Sequence, residues 1–267
     1  VAPFAGLAGG SFAALLAGLR DGTPLPEAEA VAQTQVNLLP PVPLTGKIIC
    51  IGLNYADHAR EGGHPIPTYP AVFLRTATSL VGHGQPLLRP MASDRFDYEA
   101  ELAVVIGRTA RHARAAEALD FVAGYSCFND GSLRDFQRKS TQWTMGKNFD
   151  KSGSIGPELV TQEALPSGVG NLRIAARLNG ETLQDGSTCD MIFPVPDLIE
   201  ILSAVMTLDP GDVIATGTPA GVGFARTPPR FMQAGDLIEI EIEGIGILAN
   251  TIVDESSGAG EQEGVRR

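Results

Sequence analysis

The sequence predicts an α+β fold in which β-structure predominates, on three observations. Segments with strand character outnumber those with helical spacing, and short turns join most of them. Asn179-Gly180 separates two strand-like runs, a strong signal for a type I′ hairpin. No regular strand–helix alternation runs along the chain, so a doubly wound parallel sheet is not expected.

Residues 1–45 read as a small leading region and linker. Ser11 is placed to cap a short helix over Phe12–Leu19 that stops near Gly22. Pro40, Pro41 and Pro43 cannot sit in a helix and mark the passage into the main body. The main body, residues 46–254, opens with a buried strand, Lys47–Gly52, and a short helix, Asn54–Glu61, stopped by Gly62-Gly63. Asp97–Gly107 reads as one long strand, Ala113–Phe121 as a helix, Val122–Asn129 as a strand and Ser132–Ser140 as a helix. Leu172–Leu178 and Glu181–Asp185 flank the hairpin turn, and Val195–Met206 has helical apolar spacing. Asp212–Thr216 is a strand running into a glycine-rich loop. Leu237–Glu243 alternates apolar and acidic residues as a half-exposed strand does, with Ile247–Val253 as its partner. Residues 255–267 are rich in Ser, Gly and Glu and read as a disordered tail.

The chain of 267 residues is 43% hydrophobic and 19% charged, ordinary for a globular protein with a substantial core. Its formal net charge of -11 argues against a nucleic-acid partner and against electrostatic attachment to a membrane. Val1–Leu19 carries no charge before Arg20. Its proline, glycines and alanines and the lack of a basic leader do not fit a membrane segment or signal. Three widely spaced cysteines, Cys50, Cys127 and Cys189, form neither a disulfide framework nor a zinc pattern. They read as small buried hydrophobes in a reducing, cytoplasmic setting.

Glu99 and Glu101 stand two apart at the head of an apolar run, so a strand turns both carboxylates to one side. Two acids beside a core repel each other unless a cation neutralises them, although the spacing also fits a solvated edge. Asp130 ends a strand and opens a helix, where it suits either an N-cap or a third oxygen ligand. Three carboxylates with no cysteine or histidine cluster favour a hard cation: Mg²⁺ first, with Mn²⁺ or Ca²⁺ as substitutes. His58 and Glu61 lie at i and i+3 on one helix face, as a proton-transferring dyad or as a surface pair. His64, His83 and His112 lack such a partner and read as structural or exposed. Arg134 and Gln137 share a helix face, and Lys147 near a cation suits an enolate or alkoxide oxygen, or the surface. The loop Thr216–Gly223 matches neither a P-loop nor a dinucleotide fingerprint. It offers backbone N–H groups or the Thr218 hydroxyl to a carboxylate, or is a tight structural loop.

Taken in order, these pieces resemble the fumarylacetoacetate hydrolase family over residues 46–253. They are Gly52-x-Asn54-Tyr55-x-x-His58-x-x-Glu61, then Asp97-Tyr98-Glu99-x-Glu101-Leu102, then Asn129-Asp130-x-Ser132-x-Arg134-Asp135-x-Gln137, Trp143 and Lys147. Asn179-Gly180-Glu181, Pro210-Gly211-Asp212 and Gly217-Thr218-Pro219-x-Gly221-Val222-Gly223 follow. The resemblance implies a mixed β-sheet roll, a homodimer, and a metal held by Glu99, Glu101 and Asp130. It implies an acid/base pair of His58 and Glu61, a substrate-contacting Lys147, and Gln137 and Thr218 orienting substrate or water. Arg134 is implied as a substrate contact or as support for the ligand-bearing turn. Gly131, Leu133 and Arg75-Thr76 depart from the family pattern near the pocket, which leaves substrate identity open.

The resemblance thus implies a metal-dependent enzyme acting on a small keto acid. The leading expectation is hydrolysis of a carbon–carbon bond in an acylpyruvate or related β-diketo acid. The alternatives are oxaloacetate decarboxylation, isomerisation or tautomerisation of an unsaturated 2-oxo diacid, and a non-catalytic metal- or ligand-binding scaffold. Retention of His58, Glu61 and Lys147 argues against the scaffold, because a binder needs no proton shuttle.

Overall fold

The computed structural model of the chain describes residues 14–15, 32, 35–165 and 167–256. Of the helix expected over Phe12–Leu19, Ala14 and Leu15 are described and are helical; the remainder, and the tail from residue 257, lie outside the described residues. The strands are β1 (Ile48–Gly52), β2 (Ala71–Arg75), β3 (Leu80–Val81), β4 (Leu87–Arg89), β5 (Phe96–Asp97), β6 (Ala100–Ile106), β7 (Val122–Asn129), β8 (Ser132–Leu133), β9 (Gly153–Val160), β10 (Arg173–Leu178), β11 (Glu181–Ser187), β12 (Val213–Ala215), β13 (Leu237–Ile242) and β14 (Gly246–Asp254).

A seven-stranded sheet runs β2-β1-β12-β6-β7-β9-β3, and a five-stranded sheet runs β11-β10-β13-β14-β4. β1 pairs in parallel with β12, β3 with β9 and β4 with β14; the other neighbours in these two sheets are antiparallel. The result is the mixed, mostly-β roll that the sequence leads one to expect. Every residue of β6 is buried, because the strand is central and covered on both faces. Leu102, Val104 and Ile106 join the main core with Ile174, Ile240 and Leu248 of the second sheet. Ala103 and Val105 point the other way, into a smaller core with Cys50 and Val213. The longest described helix, Val195–Val205, buries Val195, Leu198, Ile199 and Leu202 at the spacing of one face. None of the described helices is long and apolar enough to cross a membrane.

Several boundaries differ from the sequence expectation, each for a local reason. Asp97–Gly107 is not one strand. It breaks at Tyr98-Glu99, where side chains capture the backbone: Asp97 Oδ1 accepts the Tyr98 N–H and Asn129 Oδ1 accepts the Glu99 N–H. Ser132–Ser140 begins as the strand Ser132–Leu133, which pairs with β5, and only Arg134–Gln137 is helical. Asp130 therefore caps no helix. The helix expected from Asn54 starts at Ala56, because both ends of the Asn54 amide are tied to Phe193 and Thr216. Ala115–Phe121 winds as a 3₁₀ helix. Cys50 and Cys127 are buried as expected, but Cys189 is exposed, in the short turn Thr188–Asp190 after β11. At the hairpin, Asn179 and Gly180 both have positive φ, 54° and 81°, as a type I′ turn requires.

Candidate active site

Antiparallel pairing of β6 with β7 sets Ala100 against Asn129. The start of one strand thus lies beside the end of the other, and residues about thirty positions apart converge: Glu99 and Glu101 from one chain segment, Asp130 from the other. One carboxylate oxygen from each lies within 4.8 Å of the others. The three residues are 4%, 2% and 0% exposed, which rules out the solvated-edge alternative.

Burying this much charge requires compensation. Arg75 Nη1 meets Asp130 Oδ1 at 2.6 Å, and Arg134 bridges Asp97 Oδ2 at 2.8 Å and Glu99 Oε1 at 2.6 Å. Lys147 Nζ joins Glu99 Oε2 and Asp130 Oδ2 at 2.5 Å each. Burial pushes the Glu99 carboxyl upward, but Arg134 and Lys147 outweigh it and hold the group below the usual range. Glu101 has no ion pair among the described residues; it accepts one hydrogen bond, from the Gly217 N–H at 3.0 Å. Burial, then Asp130 and Glu99, push its carboxyl well above the usual range. Four buried acids, Asp97, Glu99, Glu101 and Asp130, thus face three buried cations, Arg75, Arg134 and Lys147. One carboxylate remains uncompensated. Three converging oxygen donors with an excess negative charge fit a hard divalent cation.

His58 is buried on the helix Ala56–Glu61, and its Nδ1 lies 2.8 Å from Glu61 Oε1. Donation of the Nδ1 proton to Glu61 leaves Nε2 as the free acceptor. The Gly221 N–H donates to Glu61 Oε2 at 2.9 Å. The glycine-rich loop gives backbone N–H groups to carboxylates, one of the two expected readings. Its amides serve the protein's own carboxylates: Gly217 holds Glu101, Gly221 holds Glu61, and Gly223 holds Asp97 at 2.7 Å. The Thr218 hydroxyl, meanwhile, accepts from Gln184 Nε2 at 2.8 Å. Added side chains do not fit. A Cβ on Gly221 would lie 2.3 Å from the Leu183 carbonyl, and one on Gly223 would lie 1.9 Å from that of Arg230.

These groups surround one cavity of about 440 Å³. His58, the three acids, Lys147, Gln137 and Thr218 line it, and Phe73, Trp143 and Phe224 wall it. Glu61 stands behind His58. Arg134 also reaches the cavity, but its guanidinium is engaged by Asp97, Glu99 and Gln137 Oε1. This occupancy favours the supporting role over direct contact with substrate. Gln137 gives its carbonyl oxygen to Arg134 at 2.9 Å, which leaves its amide NH₂ for a ligand.

Sequence reasoning did not assign roles to Arg75, Asp97 or Gln184. Arg75 was visible only as a departure from the family pattern. Its buried guanidinium also donates to the Gly131 carbonyl and to Ser152 Oγ. A Cβ on Gly131 would stand 1.8 Å from the Ser152 carbonyl, so the glycine there is required by the same close packing.

Residues 47–253 match the model of the fumarylacetoacetate (FAA) hydrolase C-terminal family. A human mitochondrial oxaloacetate tautomerase is 43% identical over 83% of this chain and 71% of its own length. The crystal structure of a 5-carboxymethyl-2-hydroxymuconate delta-isomerase from Mycobacterium smegmatis superimposes with a TM-score of 0.76 at 38% identity, covering 87% of this chain and 89% of its own. A fumarylacetoacetate hydrolase from psychrophilic Exiguobacterium antarcticum superimposes with a TM-score of 0.77 at 37% identity, covering 90% and 88%.

Proposed function

The chain belongs to the fumarylacetoacetate hydrolase family, and from that premise we propose that it is a divalent-metal-dependent tautomerase or isomerase of 2-oxo diacids, with oxaloacetate the first substrate to test. The observation that carries the reading is the His58–Glu61 dyad in one cavity with three buried carboxylates, one of them uncompensated. Two relatives are named for reactions that only move protons, which favours this reading over carbon–carbon hydrolysis.

Tautomerisation needs a base at C3, positive charge at the 2-oxo oxygen and shelter from water. Glu99, Glu101 and Asp130 would hold a cation of the Mg²⁺ class. When bound, that cation supplies the charge that draws the 2-oxo and carboxylate oxygens of the substrate and acidifies its C3 protons. His58 takes a proton from C3 at Nε2 while Glu61 steadies the ring through Nδ1. Lys147 donates two of its three protons to Glu99 and Asp130, and keeps the third for an oxyanion. Phe73, Trp143 and Phe224 limit water in the cavity. Return of the proton from Nε2 to carbon or oxygen completes the exchange with no bond other than those to hydrogen broken.

Hydrolysis remains the second reading, because the Exiguobacterium relative is named for it. It uses the same dyad to deprotonate water. The test is product analysis on chelator-treated protein with Mg²⁺ restored, comparing enol–keto conversion of oxaloacetate, its decarboxylation, and cleavage of an acylpyruvate. Rapid metal-dependent enol–keto conversion is expected. Acylpyruvate cleavage without that conversion would sink the tautomerase reading in favour of the hydrolase.

A further inference from the structure

Five basic side chains line the cavity: His58, His64, Arg134, Arg138 and Lys147. Three have acidic partners. Glu61 holds His58, Asp97 and Glu99 hold Arg134, and Glu99 and Asp130 hold Lys147. Arg138 has no ion pair and no side-chain hydrogen bond among the described residues. Among the described residues, it is the one permanently charged group lining the cavity in that condition.

Arg138 is exposed where it lines the cavity, but it is anchored there. It follows the helix Arg134–Gln137 and stands four residues after Arg134, which turns the two side chains the same way. Both guanidiniums lie over the Phe224 ring, at 4.6 Å for Arg134 and 4.5 Å for Arg138. Phe224 is itself anchored, its backbone N–H donating to Asp97 Oδ2 at 3.0 Å. The ring contact places the guanidinium without using its N–H donors, which a carboxylate can engage with two parallel hydrogen bonds.

Charge balance says what that edge is for. A molecule of net charge -11 repels a dianion at long range. The first carboxylate of a 2-oxo diacid goes with the 2-oxo oxygen to the acidic end of the cavity, so the second needs its own counter-charge. We infer that Arg138 binds this second carboxylate, and that the site thereby selects 2-oxo dicarboxylates over 2-oxo monocarboxylates. The inference rests on the proposed function for the placement of the 2-oxo end.

The test compares two acids of equal chain length, oxaloacetate and 2-oxobutyrate, which differ in the distal carboxylate. Exchange of their C3 protons with D₂O is followed by NMR in the full chain with Mg²⁺. Arg138→Gln is expected to lower kcat/KM for oxaloacetate about tenfold to a hundredfold, chiefly through KM. Exchange of 2-oxobutyrate should stay within about twofold. Arg138→Lys should recover part of the loss, since it restores charge without the fork. Equal losses on both acids, or none on oxaloacetate, would overturn the inference. If the wild-type protein exchanges neither acid, the proposed function falls and calorimetric binding decides the anchor alone. Loss of oxaloacetate affinity in Arg138→Gln with 2-oxobutyrate unaffected then supports it, and unchanged affinity for both overturns it.

Discussion

Gly221 donates its backbone N–H to Glu61 Oε2 at 2.9 Å, on the opposite side of the carboxylate from His58. A loop 160 residues further along the chain thus holds the group that orients the imidazole. Gly221 has φ of 106°, where a side chain is strained, and its Cβ position is already filled by the Leu183 carbonyl. Gly221→Ala is therefore expected to destabilise the fold by about 1–3 kcal/mol. It should also cut kcat about tenfold or more while KM changes little, because Glu61 loses its brace. Thermal unfolding and steady-state kinetics check both; an unchanged kcat in folded variant would mean that the brace is irrelevant to turnover.

Among the described residues Glu101 is the buried acid without an ion pair, and it separates the needs of the fold from those of the ligand. Glu101→Gln removes a charge that repels Glu99 and Asp130. In chelator the variant should melt at or above the wild-type temperature. Mn²⁺ or Mg²⁺ should raise the melting temperature of the wild type by several degrees and that of the variant far less, through lost affinity for the ion. Equal metal-induced shifts in the two proteins would show that Glu101 is no ligand.

Arg75 shows the reverse behaviour, since its side chain is 0% exposed and paired with Asp130 at 2.6 Å. Arg75→Met leaves that carboxylate with Lys147 alone and removes the donor to the Ser79 and Ser152 hydroxyls, which keep their own bonds to the Thr76 and Phe149 carbonyls. A loss of about 3–5 kcal/mol in denaturant unfolding is expected. Arg75→Lys keeps the charge but not the five-donor fork, and should fall between. A loss below about 1 kcal/mol for Arg75→Met would contradict the ion-pair account.

The three cysteines should be distinguishable by their reaction with a thiol reagent. Burial pushes the Cys127 thiol up to about 12 against the smaller opposing effect of backbone hydrogen bonds, and burial pushes Cys50 well above its usual value. At pH 8 about one Cys127 in ten thousand is ionised, and only the thiolate reacts. Native protein should release one equivalent quickly, from the exposed Cys189, and three after denaturation. Raising the pH to 9 should leave Cys50 and Cys127 silent. A second fast equivalent in the native state would mean that one of the core strands opens.

What could be read from the sequence was what repeats locally or follows the chain in order. The two-residue spacing of Glu99 and Glu101, the i,i+3 pair His58 and Glu61, the Asn179-Gly180 turn and the one-sided helix Val195–Val205 are short-range patterns, and backbone geometry converts them directly into structure. Which charges meet could not be read that way. Arg75 reaches Asp130 across 55 positions, Asp97 takes the Gly223 amide across 126, and Glu101 takes the Gly217 amide across 116. Those partnerships depend on strand order and register, which are settled when the two sheets bury their shared core. The same packing decided that Asp130 would join the buried acidic cluster and not cap a helix, that the glycine-rich loop would spend its amides inside the protein, and that Arg138 would be left over. The physical reason is that a lone charge has no preferred place along a chain; only a buried surrounding of low polarity makes its partners matter.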